Sequence, residues 1–120
     1  MKSPENIMGK LVPYPDLKET REYKKALEAL SQAEDVPVSH VIRGFVWDFI
    51  ASPSFDCDEF AVLNAARARP GRLWGRGEAR SEYLSRVMDS VPTNCAFKEL
   101  ASQYKITCPE LLRYIIRKNL

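Results

Sequence analysis

The chain holds one histidine, three cysteines and five glycines in 120 residues, and each scarcity removes a class of function. His40 has no cysteine or serine partner at a spacing familiar from nucleophilic catalysis, so the chain reads as no enzyme. Cys57, Cys95 and Cys108 are odd in number, widely spaced and without a Cys-x-x-Cys pair. That argues against a disulfide framework or a zinc site and for a reducing cytoplasm. Gly71, Gly75 and Gly77 cluster without the Gly-Lys-Ser/Thr ending of a phosphate-binding loop. No apolar run approaches the roughly 20 residues that span a bilayer, and Met1–Glu5 lacks the apolar core of a secretory signal. Asp56, Asp58 and Glu59 are the one acidic group that suggests a metal, and helix capping accounts for two of them. The expectation is a cytoplasmic protein with no cofactor, no metal and no membrane contact.

Charge is present in quantity but divided. Residues 1–66 carry seven Lys/Arg and eleven Asp/Glu, whereas residues 67–120 carry eleven Lys/Arg and five Asp/Glu. A polyanion is drawn to the second part and repelled by much of the first. Mutual attraction of the two parts, or two solvated faces, explains the same split.

An internal echo sets the organisation. Val36-Pro37-Val38-Ser39-His40-Val41-Ile42-Arg43 and Ile106-Thr107-Cys108-Pro109-Glu110-Leu111-Leu112-Arg113 stand 70 positions apart and share an apolar pattern. Leu27 and Leu30 upstream of the first match Phe97 and Leu100 upstream of the second. Each copy reads as a helix, a tight turn and a second helix bearing a basic residue.

Along the chain, Pro4, Pro13 and Pro15 keep residues 1–15 from being helical, and Lys10–Tyr14 reads as a short edge strand. Asp16 and Glu19 form a capping-box pattern ahead of a helix over residues 17–33, and Ser39 caps the next, to about residue 51. Asp56 and Glu59 repeat the pattern before a helix that Pro70-Gly71 ends. Periodicity predicts a helix over residues 78–89, another from Pro92 to Tyr104, and a last one that Thr107, Pro109 and Glu110 start well. The predicted fold is all-α, a small bundle of about six helices with a short N-terminal strand and two helix-turn-helix-like repeats. Its parts are a helical dimerisation half (1–66), an Arg/Gly-rich connector (67–77) and a three-helix half (78–120).

Leu100, Tyr104, Ile106, Leu111 and Tyr114 sit where a helix-turn-helix needs apolar residues, and Ala101 is small where the helices cross. Residues 96–120 thus resemble the helix-turn-helix family, with Lys105 at a turn position that is often glycine there. The resemblance implies a recognition helix from Thr107 or Cys108, with Thr107, Arg113, Arg117 and Lys118 toward DNA. Residues 8–50 resemble the ribbon-helix-helix family: Lys10–Tyr14 as ribbon, 17–33 as first helix, Ser39–Arg43 as the start of the second. That resemblance implies Lys10, Val12 and Tyr14 toward bases and Ser39 and His40 at a phosphate, or a surviving role in dimerisation.

Between the halves, residues 67–80 hold five arginines with Trp74 in a glycine-punctuated stretch. Arg69, Arg72 and Arg76 can track a phosphate backbone, while Trp74 reads as tucked into the bundle. The functional expectation is a small protein that binds duplex DNA, a transcriptional regulator or accessory factor, built as a dimer or pseudo-dimer. The competing expectation is a protein-binding inhibitor or adaptor whose opposed charged faces grip a protein partner.

Overall fold

The computed structural model describes residues 11–65, 81–84 and 86–120. These residues are mostly helical, with short antiparallel strands. The first half contributes β1 (Leu11–Pro13), β2 (Lys18–Thr20), α1 (Arg21–Glu34) and α2 (Val38–Ala51), followed by α3 (Cys57–Ala65). The second half contributes β3 (Ser81–Tyr83), β4 (Met88–Ser90), α4 (Val91–Tyr104) and α5 (Cys108–Lys118). Leu11 and Ser81, Lys18 and Met88, Arg21 and Val91, and Val38 and Cys108 each begin matching elements 70 positions apart.

The strands pair across the halves, not within them. β1 runs antiparallel to β4 with Leu11 opposite Ser90, Val12 opposite Asp89 and Pro13 opposite Met88. β2 runs antiparallel to β3 with Lys18 opposite Tyr83 and Thr20 opposite Ser81. Tyr14 N donates to Val87 O and Leu84 N to Leu17 O, both at 2.9 Å, which joins the two ladders into one ribbon. A two-stranded ribbon has only edge strands, so Pro13, which lacks an N–H, is tolerated within it.

Several expectations are corrected here. The described part of residues 78–89 is not helical: β3 and β4 occupy residues 81–83 and 88–90, and the described residues hold five helices. Among its described residues the second half accordingly holds two helices. The helical period misled because the ribbon loosens at its centre. Inward side chains there are three apart, Tyr14 with Leu17 and Leu84 with Val87, so the two-residue alternation is broken by a helix-like step. Likewise Asp16 and Glu19 cap nothing; α1 starts at Arg21, with Thr20 as N-cap. Pro37, not Ser39, holds the N-cap position of α2.

The helices follow local chemistry elsewhere. Asp35 ends α1 and Lys105 ends α4 in the left-handed conformation, at φ 57° and 61°, and each turns the chain into the next helix. Asp56 Oδ1 accepts from the amides of Asp58 and Glu59 at 2.8 and 3.0 Å, capping α3. Thr107 and Glu110 form a full capping box on α5.

The core lies between the halves. Leu27 and Phe97, equivalent positions on α1 and α4, are fully buried with Ile42, Leu111, Ile115 and Ile116. Each such side chain contributes about 1.5–3 kcal/mol through burial. α2, α3 and α4 all pack on α5, which is buried from Leu111 through Arg117.

Gly44 is the exception to good packing within α2. A Cβ placed there meets nothing within 4 Å. Glycine inside a helix costs about 0.5–1 kcal/mol relative to alanine. Gly44→Ala is expected to raise stability by that amount, read as a higher urea midpoint at unchanged m value.

Candidate nucleic-acid interface

The ribbon has two chemically different faces. Tyr14, Leu17, Glu19, Val87 and Asp89 point inward and are buried. Leu11, Pro13, Asp16, Lys18, Tyr83 and Arg86 are exposed. Near the ribbon's centre Lys18 Nζ lies 4.8 Å from the Tyr83 ring centre, its register partner. Arg86 Nε lies 3.7 Å from Asp16 Oδ1, with both side chains about 60% exposed. Pairs this exposed hold their groups loosely and leave them available to a ligand.

The inward face carries two carboxylates at equivalent positions, and each is gripped by the other half. Arg117 on α5 donates from Nε to Glu19 Oε2 at 2.9 Å and from a terminal nitrogen to Oε1, with both side chains fully buried. Trp47 on α2, the position 70 before Arg117, donates from Nε1 to Asp89 Oδ2 at 2.8 Å. Each carboxylate also accepts its following amide, Thr20 N or Ser90 N, at 2.8 Å. Tyr14 adds a bond to Asp89 Oδ2 at 2.9 Å and meets Phe97 edge-on at 5.0 Å. Burial, then the bond to Asp89, raises the Tyr14 hydroxyl well above the ordinary tyrosine value of 10.0.

These placements redistribute the residues expected to touch DNA. Tyr14 is in the core and cannot face bases. Arg117 is spent on Glu19 and donates to Leu63 O at 2.6 Å, and Arg113 is buried too. Lys118 is half-buried and donates to Glu59 Oε1 at 3.1 Å. Burial would lower its ammonium, but the bonds to Glu59 and Tyr114 outweigh that and raise it. Thr107 is exposed, but its hydroxyl and amide are engaged by Glu110. For Arg117 and Lys118 the physical reason is shared: the ribbon's Glu19 and α3's Glu59 and Leu63 engage the α5 face that periodicity alone leaves open. Lys10, Arg69, Arg72, Arg76 and Trp74 lie outside the described residues.

Sequence reasoning missed Lys18, Tyr83 and Arg86, because it placed them in helices. One signal was available. Glu19-Thr20 and Asp89-Ser90 repeat an acid–hydroxyl pair at the same 70-residue spacing as the helices. Extending the echo upstream would have carried the repeat into the strands.

No protein-family model matches the chain, and neither a curated protein nor a solved structure shows significant similarity to it.

The buried pair and Tyr14 each generate an expectation. Removing one partner of a buried ion pair leaves an uncompensated charge, so Arg117→Ala should destabilise by about 3–5 kcal/mol. The double variant Arg117→Met with Glu19→Gln should lose much less than the two single changes together, which chemical denaturation of all four proteins measures. For Tyr14 the sign is fixed by its raised value: the folded state keeps the proton longer than the unfolded chain. Its stabilising contribution is whole below pH 10.0 and is lost progressively as pH rises beyond it. Tyr14→Phe should therefore flatten the loss of thermal stability above that pH.

Proposed function

We propose that the chain is a single-chain ribbon-helix-helix unit, two repeats of strand, helix and helix, that binds duplex DNA through the outward face of its ribbon. The observation that carries this reading is the ribbon itself, closed between two halves of one chain with Lys18, Tyr83 and Arg86 exposed on its outer side. A two-stranded ribbon fits the width of the major groove. Lys18 and Arg86 supply positive charge for bases or phosphates, and Tyr83 a flat donor–acceptor group. Arg21 and Lys25, exposed at the start of α1, extend the positive charge from the ribbon's end.

This reading moves recognition from the last helix to the strands. The start of α5 disfavours phosphate because Glu110 already takes the Thr107 amide at 2.9 Å. Both strands come from one molecule, so DNA contact needs no second copy. The role that fits is a transcriptional regulator or accessory DNA-binding factor.

Lys18 and Arg86 are exposed, so their replacement should alter stability by no more than about 0.5 kcal/mol. Lys18→Ala and Arg86→Ala should each weaken binding to a random-sequence duplex and each reduce the slope of log affinity against log salt by about 1. Fluorescence anisotropy across a salt series measures both. Unchanged affinity and slope in the folded double variant would overturn the ribbon reading and favour a protein-binding adaptor.

A further inference from the structure

Equivalent positions in the two halves form a site that is filled in one and, among the described residues, open in the other. In the second half, Tyr104, Tyr114, Arg117 and Lys118 form a surface on which α3 and the residues before it lie. Phe55 stacks on Tyr104 with ring centres 4.3 Å apart and planes at 10°, and Phe60 meets Tyr114 at 5.9 Å. Glu59 binds the Tyr114 hydroxyl at 2.9 Å and the Lys118 ammonium at 3.1 Å. An acidic, aromatic-bearing helix thus occupies a basic, aromatic surface.

Subtracting 70 from those four positions gives Glu34, Gly44, Trp47 and Asp48, and all four line a groove of about 360 Å³ in the first half. Val36, Val41 and Phe45 supply its apolar lining, equivalent to Ile106, Leu111 and Ile115, and His40 lines it too. Tyr114 is replaced by Gly44, where a Cβ would meet open space, and Lys118 by Asp48. Trp47 stays 48% exposed although its Nε1–H is fixed to Asp89, so its ring is a pre-set wall. Arg43 is turned onto that ring, 6.0 Å from its centre.

We propose that this groove docks a helical segment of a partner protein that carries lysine or arginine where α3 carries Glu59, beside an aromatic or large aliphatic anchor. The reversal from Lys118 to Asp48, with Glu34 at the other wall, sets the sign of the occupant's charge. The missing side chain at Gly44 makes room for its anchor. A second copy's α3 is the wrong occupant, since Asp56, Asp58 and Glu59 would face Asp48 and Glu34. Helix-in-groove recognition of this kind uses an apolar face with charges at the rim.

The test uses two fluorescein-labelled peptides spanning residues 53–65, one with the natural sequence and one carrying D58K and E59K, titrated with the full chain. Asp56 is kept because it caps the helix. The lysine peptide should bind about tenfold or more tighter than the natural one, a difference one well-placed pair of charges can supply. Asp48→Lys, at an exposed position, should invert that preference, and Gly44→Leu should abolish binding by filling the groove while circular dichroism stays unchanged. Equal binding of both peptides, no saturable binding of the lysine peptide by about 1 mM, or indifference to Asp48→Lys would overturn the proposal. So would concentration-dependent self-association, read by sedimentation, that Gly44→Leu removes, because that outcome assigns the groove to a second copy. None of these readouts involves DNA, so they stand apart from the ribbon reading.

Discussion

Two buried carboxylates at the ends of one ribbon hold the rest of the structure in place. Glu19 belongs to the first half but its charge is met by Arg117 from the second; Asp89 belongs to the second but is held by Trp47 from the first. An unpaired carboxylate in such surroundings costs several kcal/mol, and a lone strand exposes a row of unmet amides and carbonyls. Neither half therefore has a stable way to fold without the other. The core obeys the same logic, since Leu27 and Phe97 anchor the first helices of the two halves beneath a shared ribbon. The pairing is non-local: Arg117 and Glu19 are 98 positions apart. Loop closure over that distance costs only slightly more than over half of it, but contacts so remote in sequence slow folding.

Joining the halves covalently frees them from identity. In a symmetric dimer every outward residue of the ribbon occurs twice, related by the two-fold axis. Here the equivalent of Pro13 is Tyr83, of Asp16 is Arg86 and of Lys18 is Met88. Asp16 and Arg86 even pair with each other across the ribbon, at 3.7 Å. On the DNA-binding reading, a ribbon with such different sides has no reason to prefer a palindrome. A half-site opposite Lys18 and Tyr83 meets a cation and a phenol, whereas the other meets Pro13 and Met88, which offer apolar surface. Divergence at the carboxylates follows the same freedom. A fully buried guanidinium–carboxylate pair serves one side, and a half-exposed indole serves the other.

Much of the helical layer was legible from residues alone. The Thr107/Glu110 capping box, the paired apolar residues at 41/42 and 111/112, and the 70-residue echo led to α1, α2, α4 and α5 within a few positions. Those signals are local or periodic, and sequence reports them directly. The strands were legible only in part. Lys10–Tyr14 read as extended because of its prolines, yet residues 81–90 read as helix because the central loosening of the ribbon spaces Leu84 and Val87 three apart. Pairing between residues 77 positions apart leaves no local trace. The interface suffered most: Arg113, Arg117 and Lys118 share one edge of a helix, and nothing within α5 announces that α3 lies over it. The acid at Glu19, which looked like half of a capping box, is the clearest case of a local rule overridden by a distant partner.

The unequal coverage of the two halves has a physical origin in where chain follows helix. After α2 the chain continues through Phe55 into α3, and this segment reaches across to α4 and α5 of the other half. Its reward there is large: a stacked aromatic pair at Tyr104, a second aromatic contact at Tyr114, and Glu59 between a phenol and an ammonium. On α2 the same segment would meet Asp48 and Glu34, which oppose its three acids. The charges of the two surfaces thus do two things at once. They direct α3 to the second half, and they keep the first-half groove clear of the chain's own acidic helix. A surface that no described residue fills, with a fixed indole at its edge and no side chain at Gly44, suits an occupant whose charge opposes Asp48 and Glu34.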